Sequence, residues 1–494
     1  MNLVSDPWIS VLMVDGKHRA ISLREAFDDA DRIADLALNP CQRIAVMRLL
    51  ICVTQAALDG PAHDSDWSAC RSRLRDAALG YLDHWRYRFE LFGPGAFLQV
   101  EKLTTEANAL ADKLDLTAAC GNNPTLFDHA AAPSGRVPSP AKLAMDLLVF
   151  QVYSPGGLIG QVMWDGEETQ KSSELAPALE GSMLHTIIRG ATLADTIHFN
   201  LLAKDQVGIW GNPTWTLDRF LRKEMQKNAR TYLGRLVPAC RAVNCTPESA
   251  GITLANAITC PKLPEGREPT GTVIMRRRGA EEACGYVAVS LAKHPWRELG
   301  AILALSQADL QGGALALSRI RLLPVTDFDI WTGGLAANKS KLLDMAEWSF
   351  RLPHALLDTT CLKQYQKGVE LANMGRATLW GAVSSYGETL KNSAPPTAFA
   401  ETLYWSSLDR DCQVLATTAA GPAASLDNTW LPCVRTAMQI AYERACPHET
   451  PRQIQAYAIG LDRLRMRGTE RQPAPLEQPA PCDFSDAEQQ GAPV

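Results

Sequence analysis

The chain has 494 residues, too many for one ordinary core, so two or three domains are expected. Its apolar fraction of 46%, charged fraction of 21% and formal net charge of −5 are those of a globular protein and argue against a uniformly basic nucleic-acid binder; any contact with nucleic acid must be local or shared with more basic partners. Thirteen cysteines lie singly along the chain with no Cys-x-x-Cys, which argues against a disulfide framework and for reduced, buried thiols.

Met1 to Asp6 has no basic segment and no apolar core, so it does not read as a signal peptide. No apolar run approaches the roughly 18 residues of a membrane span, and a cytoplasmic chain is expected. Residues 8–22 predict a hairpin around the tight-turn pair Asp15-Gly16. In 39–58, Val46, Leu49, Leu50 and Val53 recur at helical spacing, and 66–90 is expected to be helical as well, with Arg71, Arg73 and Arg75 on exposed positions. Phe92 to Gln99 predicts a turn followed by a short strand. The proline-rich stretch 131–140 predicts a loop, and Ala141 to Val152 a helix that stops at Ser154-Pro155-Gly156-Gly157. An apolar segment follows over 183–203, and strands and turns alternate from 231 to 330 with a helix near 295–308. Helix-period segments are then expected at 341–357, 360–392, 396–418, 428–446 and 450–467, read as a four-helix bundle fed by a leading helix. The fold class is therefore α+β, with a large mixed domain over 1–340, a helical bundle over 341–470 and a disordered, Pro-, Gln- and Ala-rich tail over 471–494.

Four segments could carry chemistry. In Asn122-Asn123-Pro124-Thr125-Leu126-Phe127-Asp128-His129, the aromatic Phe127 either anchors its loop in a core or is offered to an unpaired base. Gly156-Gly157-Leu158-Ile159-Gly160 is not a dinucleotide fingerprint, because the spacing is wrong and it follows a helix rather than a strand; its simplest reading is a helix stop. Trp331 to Lys341, with Gly333-Gly334, predicts a hairpin turn leading into a helix capped by Asn338 or Ser340. Basic residues gather at Arg219, Arg222, Lys223, Lys227, Arg230, Arg235 and Arg241, and again at Arg276-Arg277-Arg278, which follows the strand-like Thr272 to Met275 and precedes Gly279 as a hairpin tip able to reach phosphate. A charge run can equally be a solvated face. No H-E-x-x-H, P-loop, G-x-S-x-G or paired acidic motif occurs, and His185 and His294 read as structural, so no catalytic residue is assigned.

Taken in order, Asn122 to His129, the glycine turn 156–160 and Gly333 to Ser340 resemble the large subunit of the type I-E CRISPR surveillance complex, Cascade (the CasA family). Met183 to Leu202, with Ile188-Arg189-Gly190, and then Gly211-Asn212-Pro213-Thr214-Trp215 follow the family's order, so the resemblance spans about 1–470. It implies a non-enzymatic, RNA-guided DNA-recognition subunit. Phe127, Asp128 and His129 would sit on a loop that contacts the 5′ handle of the crRNA. Gly156, Gly157 and Gly160 would lie against the minor groove of double-stranded target DNA at the protospacer-adjacent motif (PAM), with a basic residue near Arg276, Arg277 and Arg278 reading the same groove. Asn338-Lys339 would be the tip of a wedge that starts strand separation, where the family commonly carries glutamine next to asparagine. The implied partners are the backbone, small and 5′-handle-binding subunits, the small ones on the helical bundle, and a separate helicase-nuclease. Some members hold structural zinc with paired Cys-x-x-Cys motifs; around 138–145 this chain has no cysteine and around 245–260 only Cys245 and Cys260, so no metal and no cofactor are expected. Two rival readings are a stand-alone nucleic-acid-binding regulator and an enzyme with an unrecognised site.

Overall fold

The computed structural model describes residues 1–103, 109–118, 137–217, 220–247, 251–260, 268–278, 281–304, 313–323, 325–338, 341–392, 394–421 and 426–464, with 275–278 and 281–284 described in their backbone alone. Phe127, Asp128, His129, Lys339 and the tail from 471 lie outside the described residues. The chain divides into two compact units: Met1–Val369 with Asp409–Trp430, and Glu370–Leu408 with the chain from Leu431 on.

In the first unit, β1 (Ile9–Met13) and β2 (His18–Ile21) form the expected hairpin, with Gly16 at φ +81° in its turn. After α1 (Leu23–Asp28), β3 (Ile33–Leu36) pairs on the other side of β1. The helix α2 (Pro40–Leu58) begins where Asn39 accepts the Gln42 amide proton, Gln42 reciprocates and Pro40 fills the first turn. Among the described residues it is the one helix long and apolar enough to cross a membrane, and it lies mostly buried as a core helix. It buries one charge as well: Arg48 donates to the Leu236 carbonyl at 2.7 Å and meets the Glu268 carboxylate at 3.2 Å, and Arg235 pairs with the same carboxylate. The helix α3 (Asp64–Trp85) buries Trp67, Cys70, Leu74, Ala78 and Leu82, one stripe at spacings of three and four.

Phe92 to Gln99 departs from the expected strand. Leu98 adopts φ +53°, which breaks an extended run, and the Gln99 side-chain amide folds back onto the Leu91 carbonyl at 2.7 Å. Next come β4 (Ala109–Leu110) and α4 (Pro140–Tyr153), the latter capped by Ser139 and stopping at Ser154 as expected. Short strands β5 (Gly157–Leu158), β6 (Met163–Trp164), β7 (Glu167–Glu168) and β8 (Ser172–Ser173) pair as β5 with β8 and β6 with β7. The apolar segment 183–203 divides into β9 (His185–Arg189) and α5 (Leu193–Phe199), because Thr192 caps a new helix through the Asp195 amide. Beyond them lie α6 (Arg222–Asn228), α7 (Tyr232–Leu236), β10 (Arg241–Cys245) and β11 (Gly251–Asn256); β11 pairs with both β10 and β4, around a cluster that includes Val162, Trp164, Met225, Ala242 and Ile258. The hairpin β12 (Val273–Arg278) and β13 (Glu281–Tyr286) precedes α8 (Leu299–Ile302) and α9 (Leu317–Ile320).

The leading helix expected at 341–357 is a strand over 341–353, and only His354–Leu357 makes a short 3-10 turn. β14 (Asp327–Asn338) and β15 (Lys341–Pro353) form a long antiparallel hairpin, with β9 on the other edge of β14. Trp348, Phe350 and Leu352 alternate with Ser349 and Arg351, which is the period of a strand. The four long helices follow as expected: α10 (Thr359–Leu390), α11 (Thr397–Ala420), α12 (Leu426–Ala445) and α13 (Pro451–Arg463). In the first unit, Trp430 donates to the Gly368 carbonyl at 2.7 Å and packs edge-on against Trp296. In the second, Tyr404 donates to the Ala372 carbonyl at 2.6 Å, and Gly375 leaves room for Tyr404, Val434 and Met438. Mixed sheet and helix first, helices last, is the α+β order expected.

Candidate nucleic-acid interface

The glycine turn is more than a helix stop. Past Ser154 the chain runs antiparallel to 171–176: the Ala176 amide donates to Ser154, Ile159 donates to Lys171, and Gly157-Leu158 pairs with Ser173-Ser172. A Cβ on Gly156 would stand 2.9 Å from the Ser173 carbonyl oxygen, so the close pairing requires glycine there. Gly157 has φ +128°, where a side chain is strained. Gly160 is different: its Cβ would meet only Leu254, at 3.4 Å. Leu158, between them, is 93% exposed, so the turn presents bare backbone beside one apolar side chain.

A buried arginine anchors this turn. Arg241, 1% exposed, donates from Nη2 to the carbonyls of Pro155 at 3.1 Å and Glu174 at 2.5 Å, and from Nη1 to that of Cys240 at 3.0 Å. Burial pushes its pKa below the usual arginine value. Gln151, in the last turn of α4, in turn accepts from the Arg241 amide at 2.8 Å and donates to its carbonyl at 2.9 Å. In the sequence Arg241 figures only as one of a basic run, and the signal for Gln151 is a lone amide in the apolar run Leu143 to Tyr153. The basic run 218–241 is accordingly not one surface patch. Arg235 and Arg241 are buried, and Lys223, Lys227 and Arg230 are exposed.

Gly333 and Gly334 do not form a turn. They lie buried inside β14, opposite Glu347 and Ala346 of β15. A Cβ on Gly334 would be 2.8 Å from the Met183 carbonyl oxygen, and one on Gly333 2.6 Å from the Trp331 ring, so both are glycine for close packing rather than for bending. The end of the hairpin lies farther on: Asn338 pairs with Lys341, and a strand rather than a helix follows. Asn338 is exposed. Ser182 fixes the strand end, accepting from the Ala337 amide at 2.9 Å and donating to its carbonyl at 3.0 Å.

Arg276, Arg277 and Arg278 end β12, at the far end of the β12–β13 hairpin as expected. The register sets Arg277 opposite Glu282 and Arg278 opposite Glu281, so acidic partners on β13 share that end. His185 is structural: its Nε2 donates to the Ala178 carbonyl at 2.9 Å, its Nδ1 accepts from Thr270 at 2.7 Å, and burial pushes its pKa down to about 3. Cys260 lies against Cys240 and Cys245 sits on β10; among the described residues no three His, Cys, Asp or Glu side chains are grouped so as to hold a metal ion.

One stretch, 172–189, ties these elements together. Ser172-Ser173 pairs with the glycine turn, Ser182 holds the end of β14, and β9 pairs with its body from Gly333 to Asp329. The Leu184 amide donates to Val287 at 2.7 Å, and the Thr272 amide donates to Leu184 at 3.1 Å, so the root of the β12–β13 hairpin is held by the same stretch.

Residues 2–441 match the family model of CRISPR-associated protein Cse1. A CasA/Cse1 protein of Thermus thermophilus is 28% identical over 456 residues, covering 83% of this chain and 85% of that protein. A crystal structure of Thermus thermophilus CasA superposes with a TM-score of 0.76 at 22% identity, covering 94% of this chain and 98% of that one. Thermobifida fusca Cse1 does so at 0.74 and 20% identity over the same shares. A chain of a CRISPR RNA-guided surveillance complex does so at 0.72 and 16%, over 94% and 99%.

Proposed function

Because this chain belongs to the CRISPR-associated protein Cse1 family, we propose that it is the large subunit of an RNA-guided CRISPR surveillance complex, working in the cytoplasm. In this role it recognises the PAM in double-stranded DNA, starts strand separation for R-loop formation and offers a docking surface to a helicase-nuclease. It needs no cofactor and cuts nothing itself. The observation that carries the reading is the common footing on 172–189 of the glycine turn, the β14–β15 hairpin and the β12–β13 hairpin. Three projections rooted on one stretch of chain can meet one short duplex segment together.

Each projection suits a different contact. Gly156-Gly157 lets backbone approach a narrow minor groove, whose degenerate hydrogen-bond pattern suits tolerant PAM reading. The exposed Asn338 can present an amide to a base edge, while Lys339 adds a charge that can neutralise phosphate. Arg276, Arg277 and Arg278 add positive charge, moderated by Glu281 and Glu282 on the facing strand. PAM binding then offsets the local unstacking cost, on the order of a few kcal/mol, and guide pairing reads the rest of the target. Phe127, Asp128 and His129 are proposed to hold the 5′ handle of the crRNA, and the helical bundle the small subunits.

The test is reconstitution with a guide RNA and the other subunits, followed by binding to duplexes with and without the PAM. We expect PAM-dependent binding by the complex and weak binding by the isolated chain. Tight, salt-sensitive DNA binding by the chain alone would favour a stand-alone regulator, and turnover without partners would favour an enzyme.

A further inference from the structure

The thiols of Cys240 and Cys260, 20 residues apart, lie with their sulfurs 3.0 Å from each other. Cys240 directly precedes β10 and is buried, while Cys260 lies just beyond β11 and is partly exposed. The contact therefore spans the base of the β10–β11 hairpin, one residue from the Arg241 that holds the glycine turn. Both thiols belong to the same compact unit.

We propose that Cys240 and Cys260 form a reversible intramolecular disulfide by exchange with a small-molecule disulfide such as glutathione disulfide. The proposal stands independently of the nucleic-acid reading. The surroundings favour a thiolate. Burial works against ionisation of Cys240, but the hydrogen bond from Cys260 and the charges of Arg241 and Arg235 outweigh it and hold its pKa below the usual thiol value. That same hydrogen bond, with burial, pushes Cys260 up. By contrast, Cys41 and Cys52 are pushed up by desolvation and stay protonated.

In the exchange, one protein thiolate attacks a sulfur of glutathione disulfide. Its S–S bond breaks, a mixed disulfide forms and one glutathione thiolate leaves. The second protein thiol loses its proton to solvent and attacks the protein sulfur of the mixed disulfide, expelling the second glutathione. Two protein thiols are oxidised, one glutathione disulfide is reduced to two glutathiones, and two hydrogens leave the protein.

The experiment is to incubate the full, folded chain with glutathione disulfide, trap free thiols by alkylation and map disulfides in a non-reducing digest. The expected product is a Cys240–Cys260 linked peptide, lighter by two hydrogens and restored by dithiothreitol. It should exceed any other cysteine pairing at least about tenfold, because thiols already in contact react at high effective concentration. In Cys240→Ser, the linked peptide should disappear and a stable glutathione adduct should remain on Cys260. Glutathione adducts on the unaltered chain without the linked peptide would overturn the proposal, as would unmodified thiols at both positions.

Discussion

Arg241 donates to the Pro155 carbonyl at 3.1 Å from a guanidinium that is itself buried. A charged side chain thus serves as a bracket for backbone, reaching also Glu174 from Nη2 and Cys240 from Nη1. Replacing it with methionine, Arg241→Met, keeps most of the volume but removes the donor to the Pro155 and Glu174 carbonyls, while the Cys240 carbonyl keeps the Ala257 amide at 3.3 Å. We expect a loss of roughly 2–4 kcal/mol of stability, from buried acceptors left unpaired. Amide hydrogen exchange should accelerate at Ile159 and Ala176, whose amides cross the same turn. Unchanged exchange there would mean that β5–β8 pairing alone holds the turn.

The three glycines of the turn should separate in a substitution series. Gly156→Ala forces a methyl toward the Ser173 backbone, and Gly157→Ala puts a side chain at φ +128°. Each should cost about 1–3 kcal/mol. Gly160→Ala meets only ordinary contact at 3.4 Å and should melt within about 0.5 kcal/mol of the parent. If the turn lies against the duplex as proposed, Gly157→Asp adds a negative charge beside phosphate; in the assembled complex it should abolish binding to PAM-bearing duplex while subunit assembly, followed by gel filtration, is preserved.

Lys339 follows Asn338, the residue that pairs with Lys341 at the end of the hairpin. If it assists strand separation, Lys339→Ala should slow R-loop formation on an intact duplex. The effect should shrink on a target already unpaired beside the PAM, where the unstacking cost of roughly a few kcal/mol has been removed. Equal losses on the two substrates, measured side by side, would reduce Lys339 to general phosphate attraction.

His185 predicts a pH dependence of stability. Its folded pKa is lowered to about 3 by burial, below the model-peptide value of 6.5, so over that interval the unfolded chain binds the extra proton. The neutral imidazole therefore contributes stability that is present above pH about 6.5 and is lost as the pH falls, by at most about 1.4 kcal/mol per pH unit. A glutamine side chain offers a donor and an acceptor, as the neutral ring does, but takes up no proton. His185→Gln should therefore show a shallower decline between pH 6 and 4 by close to one proton, which urea titrations at several pH values would measure. Parallel slopes would show that other groups carry the acid sensitivity.

The handle contact proposed for Phe127, Asp128 and His129 is assessable through assembly. Phe127→Ala should weaken incorporation into the guide-RNA complex and leave the melting temperature of the isolated chain unchanged. A lower melting temperature with normal incorporation would make Phe127 a core anchor.

Local chemistry was legible in the chain itself. Asp15-Gly16, the stop of α4 at Ser154-Pro155 and the helical periods of α10 to α13 each specify their own element, because turn preferences and helical periodicity act over a few residues. The order of mixed domain and helices followed from them. Tertiary structure decided the rest. Gly333-Gly334 carried the mark of a turn, yet pairing with β15 sets these residues inside β14, where Met183 and Trp331 approach too closely for a side chain. Residues 341–357 passed for a helix until β14 supplied partners along the length of β15. Arg241 belonged to a surface-like basic run until β10, α4 and the glycine turn closed around it. Strand pairing and burial depend on residues far away in sequence, and no local pattern contains the neighbour that will fill, cover or hydrogen-bond a given side chain.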